Sequence, residues 1–143
     1  MLRRRDLKIL LRSRSWDFVK YYKKTADGSQ GLYRWNGEPS YYRAGTGDCR
    51  NIYEILLSRQ SEYQVPQDLK PKTAVDIDAN IGIASIYSAE QFPNSKIFAF
   101  EPEEENSILL KKNIHPYQNM RAFPVALGNR DEVKEIFLLR QSQ

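Results

Sequence analysis

Two short stretches hold the residue types that cradle a nucleoside. The first is Val75-Asp76-Ile77-Asp78-Ala79-Asn80-Ile81-Gly82, and the second is Phe98-Ala99-Phe100-Glu101-Pro102. A cofactor loop needs close backbone approach, left-handed φ at one or two positions, and unbonded N–H groups at a helix N-terminus. Ala79, Asn80 and Gly82 meet these demands, because asparagine tolerates the left-handed region and glycine adds no side chain. Glu101 follows Asp76 by 25 residues. A carboxylate at that spacing, ending the next strand, can accept hydrogen bonds from both hydroxyls of a ribose. The dinucleotide pattern G-x-G-x-x-G is absent and only Gly82 is present. Without that pyrophosphate cradle, a cofactor lacking phosphates is favoured over NAD.

The elements that must position these residues follow from the local pattern. Thr73–Ile77 is too short and too β-branched for a helix and reads as a buried strand. Ile81–Gln91 reads as a helix closed by Phe92-Pro93-Asn94, and Lys96–Phe100 as a second strand. Pro102 is expected to begin the next helix, where its missing N–H costs nothing. Glu103, Glu104 and Glu105 would then complement the helix dipole. That helix runs to about Asn113 and stops at His115-Pro116. Met120–Ala126 reads as a third strand, and Val133–Leu139 as a fourth, antiparallel one. Consecutive parallel βα units predict a right-handed α/β sheet, part of a doubly wound fold with strand order 3-2-1. Ligands bind such sheets at the C-terminal strand ends, where Asp78–Gly82 and Glu101 fall.

Upstream, residues 5–24 place Leu7, Leu10, Leu11, Phe18, Val19 and Tyr22 at loosely helical spacing, which predicts an amphipathic helix with a basic outer face. Residues 25–48, with Ala26-Asp27-Gly28-Ser29 and Trp35-Asn36-Gly37-Glu38-Pro39, read as turns and one hairpin. Residues 49–60 read as a helix capped by Asp48. The chain therefore divides into a basic helical arm (1–24), a segment of turns and a helix (25–72), and an α/β part (73–143).

Charge is uneven along the 143 residues. The arm holds nine Lys/Arg against Asp6 and Asp17, whereas the whole chain is +4, so residues 25–143 are net −3. The basic character belongs to the arm, which argues against nucleic acid as a partner of the α/β part. The arm itself reads as a solvated face, or as a surface for RNA, an acidic glycan or a membrane. No apolar run approaches the roughly 18 residues of a membrane span. A single cysteine, Cys49, cannot form an internal disulfide, and a reducing cytoplasmic setting is the expectation. His115, at a helix end, reads as structural, and no cluster has metal-ligand spacing.

Taken in order, these motifs resemble the N-terminal half of the FkbM-type S-adenosylmethionine-dependent methyltransferases. The resemblance is carried by Val75–Gly82, Phe100-Glu101-Pro102 and Val125-Ala126-Leu127-Gly128-Asn129-Arg130-Asp131. Tyr42-Arg43-Ala44-Gly45-Thr46-Gly47-Asp48 and Glu62-Tyr63 add to it upstream, so it spans roughly residues 41–139. It implies a Rossmann-like class I methyltransferase fold. Asp76 and the Asp78–Gly82 loop would surround the methionine part of S-adenosylmethionine. Glu101 would bind the ribose with Pro102 beside it, and Val125 and Ala126 would lie near the adenine. The family's acceptors are hydroxyl oxygens on sugars and polyketide-like molecules.

Two features depart from that family. Its pattern D-x-G-A-N-x-G has glycine where this chain has Asp78, which predicts weakened cofactor binding. The segments that form the family's fourth strand and acceptor pocket have no counterpart before Gln143. The sequence thus reads as a truncated cofactor-binding half, with its catalytic residues unknown. One alternative is a non-catalytic fragment that forms homo-oligomers through the exposed edge of its first parallel strand. Another is an RNA-directed enzyme that uses the basic arm.

Overall fold

A computed structural model describes residues 3–25, 27–58, 65–66 and 68–135. The arm forms two helices, α1 (Arg4–Ser13) and α2 (Trp16–Lys23). The single helix expected over residues 5–24 is broken because Arg14 turns left-handed, at φ 52°. Ser15 then caps α2 by accepting the Phe18 N–H at 3.1 Å. An antiparallel hairpin follows, β1 (Gln30–Trp35) and β2 (Glu38–Arg43). Its two-residue turn is Asn36-Gly37, with φ of 50° and 90°, the backbone that an Asn-Gly turn favours.

The helix expected over 49–60 starts earlier and changes character. α3 spans Gly47–Asn51, and Thr46 rather than Asp48 caps it, accepting the Asp48 N–H at 3.2 Å. The Asp48 carboxylate is instead taken by the Arg43 guanidinium, at 2.8 and 3.0 Å. From Ile52 to Leu57 the helix widens to π geometry, closed by the Ser58 N–H donating to the Tyr53 carbonyl. Residues 59 and 60, and Glu62-Tyr63 of the family resemblance, lie outside the described residues.

The α/β part holds β3 (Thr73–Ile77), α4 (Ile83–Gln91), β4 (Lys96–Phe100), α5 (Glu104–Ile114) and β5 (Met120–Phe123). β3, β4 and β5 form a parallel three-stranded sheet in that order, so among the described residues β4 is central and β3 is an edge. This is the expected 3-2-1 arrangement. Four details differ. α4 starts at Ile83 and not Ile81, because Gly82 before it is left-handed at φ 89°. α5 begins after Pro102, because the Glu103 carboxylate caps it by accepting the Glu105 and Asn106 N–H groups. β5 stops at Phe123, because Pro124 has no N–H to offer the sheet. Residues 133–135 are not in a strand, and 136–139 lie outside the described residues. The antiparallel pair among the described residues is thus the upstream β1–β2 hairpin.

One sheet face is covered. Ile97, Ala99 and Met120 pack against Ile86 and Ala89 of α4 and Leu110 and Ile114 of α5. The other face carries Phe98, Phe100 and Phe123, with the Phe100 and Phe123 rings stacked at 4.9 Å. Val75 and Ile77 on that face are 53% and 63% exposed. A second buried cluster joins Ile9, Phe18, Tyr42 and Ile52 to Ile81 and Leu109, so the arm and hairpin pack on the loop between β3 and α4. Asn113, fully buried, ties these parts together. Its Nδ2 donates to the Tyr41 and Ile81 carbonyls, and its Oδ1 accepts the Tyr41 N–H.

Candidate functional site

The β3–α4 connection is the most contorted backbone in the α/β part. Asp78, Asn80 and Gly82 are all left-handed, at φ 64°, 50° and 89°. Asp78 therefore adopts a conformation that favours glycine. The intervening residues face inward, with Ala79 and Ile81 buried. The Ala79 N–H donates to the Phe100 carbonyl at 2.9 Å, which ties the loop to β4. Gly82 caps α4 without a side-chain acceptor, and the Ser85 N–H of the first turn instead bonds the Asp76 carboxylate.

Gly82 also serves packing. A Cβ there would stand 2.6 Å from Leu110 Cδ1 and 3.3 Å from Ile114 Cγ2. Its bareness lets α5 approach the loop.

Glu101 is the knot behind the loop. It is 1% exposed, and both carboxylate oxygens accept backbone donors. Oε2 takes the Asn80 N–H at 2.7 Å, and Oε1 takes the Glu103 N–H at 2.9 Å. One side chain thus fastens the β3–α4 loop to the start of α5.

A cavity of ≈ 330 Å³ opens in front of the loop. Asp76, Asp78, Ala79 and Asn80 line it, together with Ile77, Ile81, Ile83 and Ala84. Asn51 and Ile55, from α3 and the π segment, close the other side. Among the described residues, the lining holds two carboxylates and no Lys, Arg or His. Burial pushes the Asp76 carboxyl above its ordinary value of 3.8. The neighbouring charges of Asp78 and Glu101 push the same way, against the Ser85 hydroxyl, which donates to Asp76 Oδ2. The Asn80 side-chain oxygen is buried and has no hydrogen-bond partner among the described residues.

Of the residues expected to hold a cofactor, the structure thus gathers Asp76, Asp78, Ala79 and Asn80 around one cavity. Gly82 stands at its helix end, and Glu101 and Pro102 are not among the lining residues. Val125 and Ala126 line a separate cavity of ≈ 570 Å³ with Leu127, Gly128 and Arg130. Asn51, Ile55 and Ser85 were not singled out in the sequence, and no spacing marked them. Ser85 lies nine residues beyond Asp76, and Asn51 and Ile55 reach the cavity only through tertiary packing. His115 lines another surface cavity, with Tyr41, Lys111 and Lys112. Cys49 is buried, and burial pushes its thiol up. Among the described residues, no group of His, Cys, Asp and Glu is arranged to hold a metal ion.

This arrangement suits a ligand of mixed character. Isoleucine walls accept methylenes or a ring, the α4 N-terminus accepts oxygen atoms, and the two aspartates favour a cationic centre. No family model and no curated protein matches the chain. Two solved structures from Pyrococcus horikoshii resemble it. One is PH0793, provisionally described as a transferase, with a TM-score of 0.48. The other is TYW2 in complex with MeSAdo, with a TM-score of 0.49. Each is 19% identical, and the match covers 70% of this chain. The chain spans 37% of the length of each of those proteins. Among the described residues, no helix is long and apolar enough to cross a membrane.

Proposed function

We propose that the chain holds S-adenosylmethionine in the β3–α4 cavity, as the cofactor-binding half of an O-methyltransferase acting on a sugar or polyketide-like hydroxyl. The observation that carries this reading is the gathering of Asp76, Asp78, Ala79 and Asn80 around one small cavity at the start of α4. That volume is at the lower end of small-molecule sites, roughly 300–1,000 Å³. Asp76, Asp78, Ala79, Asn80 and Gly82 surround the amino-acid part of the cofactor, and Asp76 offsets the positive sulfonium and ammonium. Glu101 acts through the loop it holds, with Pro102 beside it. Val125 and Ala126 follow the third strand of the same sheet, on the side assigned to the adenine. The bound cofactor supplies an activated methyl group, and this chain supplies its positioning.

Asp78 sets the strength of that binding. Its left-handed backbone is already present without ligand, so the strain acts on folding and not on affinity. What reaches affinity is repulsion between the exposed Asp78 carboxylate and the cofactor's own, about 1 kcal/mol in a solvated setting. Calorimetry with S-adenosylmethionine tests this. Binding by the wild type and about fivefold tighter binding by Asp78→Gly are expected. Absence of binding by both proteins overturns the cofactor assignment, and weaker binding by Asp78→Gly overturns the role given to Asp78.

A second reading, self-association through β3, is favoured by the exposure of Val75 and Ile77 on a strand that is an edge among the described residues. Light scattering on wild type and Val75→Lys distinguishes it: an oligomer lost in the variant supports edge pairing, and a monomer in both removes it.

A further inference from the structure

α1 carries two different faces. Asp6, Ile9 and Ser13 point inward and are buried. Arg4, Leu7, Lys8 and Leu11 recur at helical spacing on the opposite face. There Leu7 is 49% and Leu11 69% exposed. Trp16, which opens α2 just beyond, is 60% exposed. Arg3, Arg4, Arg5, Lys8, Arg12 and Arg14 are all exposed. The acid among them, Asp6, is removed from the surface by its ion pair with Lys23 at 2.8 Å. Two of the arginines, Arg5 and Arg12, lie over the Tyr22 and Tyr53 rings at the flank. The outer surface of α1 is thus aliphatic at its centre, cationic around it, and free of exposed acid from Arg3 to Ser15.

We propose that this face docks on an anionic lipid surface. A solvated helix face has no use for two exposed leucines one turn apart. A polyanion such as RNA matches the arginines, but it offers the leucines nothing to enter. A bilayer of anionic lipid satisfies both, with leucine and tryptophan entering the headgroup–acyl boundary and Arg/Lys heads held at the phosphates. A helix of 10 residues anchors shallowly, so the binding is reversible and weakened by salt. The surface lies on the arm, and the inference does not rest on the cofactor reading.

The test is co-sedimentation of the full chain with vesicles of phosphatidylcholine alone and of phosphatidylcholine mixed with phosphatidylserine. Pelleting is expected with the mixed vesicles and not with the neutral ones. Leu7→Gln/Leu11→Gln and Arg4→Glu/Lys8→Glu should each lower the partition coefficient by about tenfold or more. All four residues are exposed, and unchanged far-ultraviolet circular dichroism verifies that the variants are folded. A single-stranded RNA of mixed sequence is titrated in parallel by fluorescence anisotropy. Absence of pelleting with mixed vesicles overturns the proposal. So does pelleting undiminished by the leucine substitutions. RNA binding retained by the leucine variant, without vesicle binding, assigns the face to nucleic acid instead.

Discussion

Replacing Glu101 should damage the fold before it damages any ligand contact. Its two oxygens are acceptors for the Asn80 and Glu103 N–H groups, at 2.7 and 2.9 Å, in a site where the side chain is 1% exposed. Glu101→Ala removes both acceptors and strands two donors. Each stranded donor costs about 1–3 kcal/mol, so the expected loss is about 3–5 kcal/mol. Glu101→Gln keeps one carbonyl acceptor and turns an NH2 group toward the other donor, for a loss of about 1–3 kcal/mol. With a urea m-value of roughly 1.5–2 kcal/mol/M, the midpoint should fall by about 2 M for alanine and about 1 M for glutamine. Equilibrium unfolding followed by far-ultraviolet circular dichroism gives both values. Were Glu101 instead a solvent-facing ligand residue, both variants would stay within about 0.5 kcal/mol of wild type. That result, or alanine proving no worse than glutamine, would refute the latch.

Asp76→Asn should stabilise the protein at neutral pH, because burial and two neighbouring carboxylates disfavour the ionised form. A carboxyl raised in the folded state lends stability below its unfolded value and loses it as pH rises through the folded one. The gain from Asp76→Asn is therefore expected to be largest near pH 7 and to shrink below the ordinary value of 3.8, and urea midpoints at both pH values test the sign. Gly82→Ala combines left-handed strain of about 1–2 kcal/mol with overpacking of about 1–3 kcal/mol against the fully buried Leu110. Its urea midpoint should drop accordingly, and an unchanged midpoint would mean that α5 yields freely.

The strand–loop–helix core was legible in the residues because β-branched Thr73–Ile77 and the small residues after it allow few conformations. Gly82 stood out for the same reason, although its bareness turns out to serve the approach of α5. Glu101 was legible as a special carboxylate, but its bonds to the Asn80 and Glu103 N–H groups were not, since no sequence pattern displays backbone partners. The stop of β5 was written in Pro124, yet the apolar run through Ala126 masked it. The break between α1 and α2 carried no such mark, because an arginine takes the left-handed turn where glycine is usual. Asp48 looked like a cap because its type is right for one. The nearby Arg43 guanidinium claims it, and Thr46, two residues earlier, takes the cap. The approach of Asn51 and Ile55 to the cavity depends on how α3 and the π segment pack on the loop, which local sequence does not encode.

The most direct measurement is an amide proton–nitrogen spectrum of the isotope-labelled chain titrated with S-adenosylmethionine. Saturable shifts concentrated on the amides of Asp76 to Ser85, with Asn51 and Ile55 following, are the predicted result. An unchanged spectrum, or shifts confined to the Tyr41–His115 surface or the arm, would contradict it.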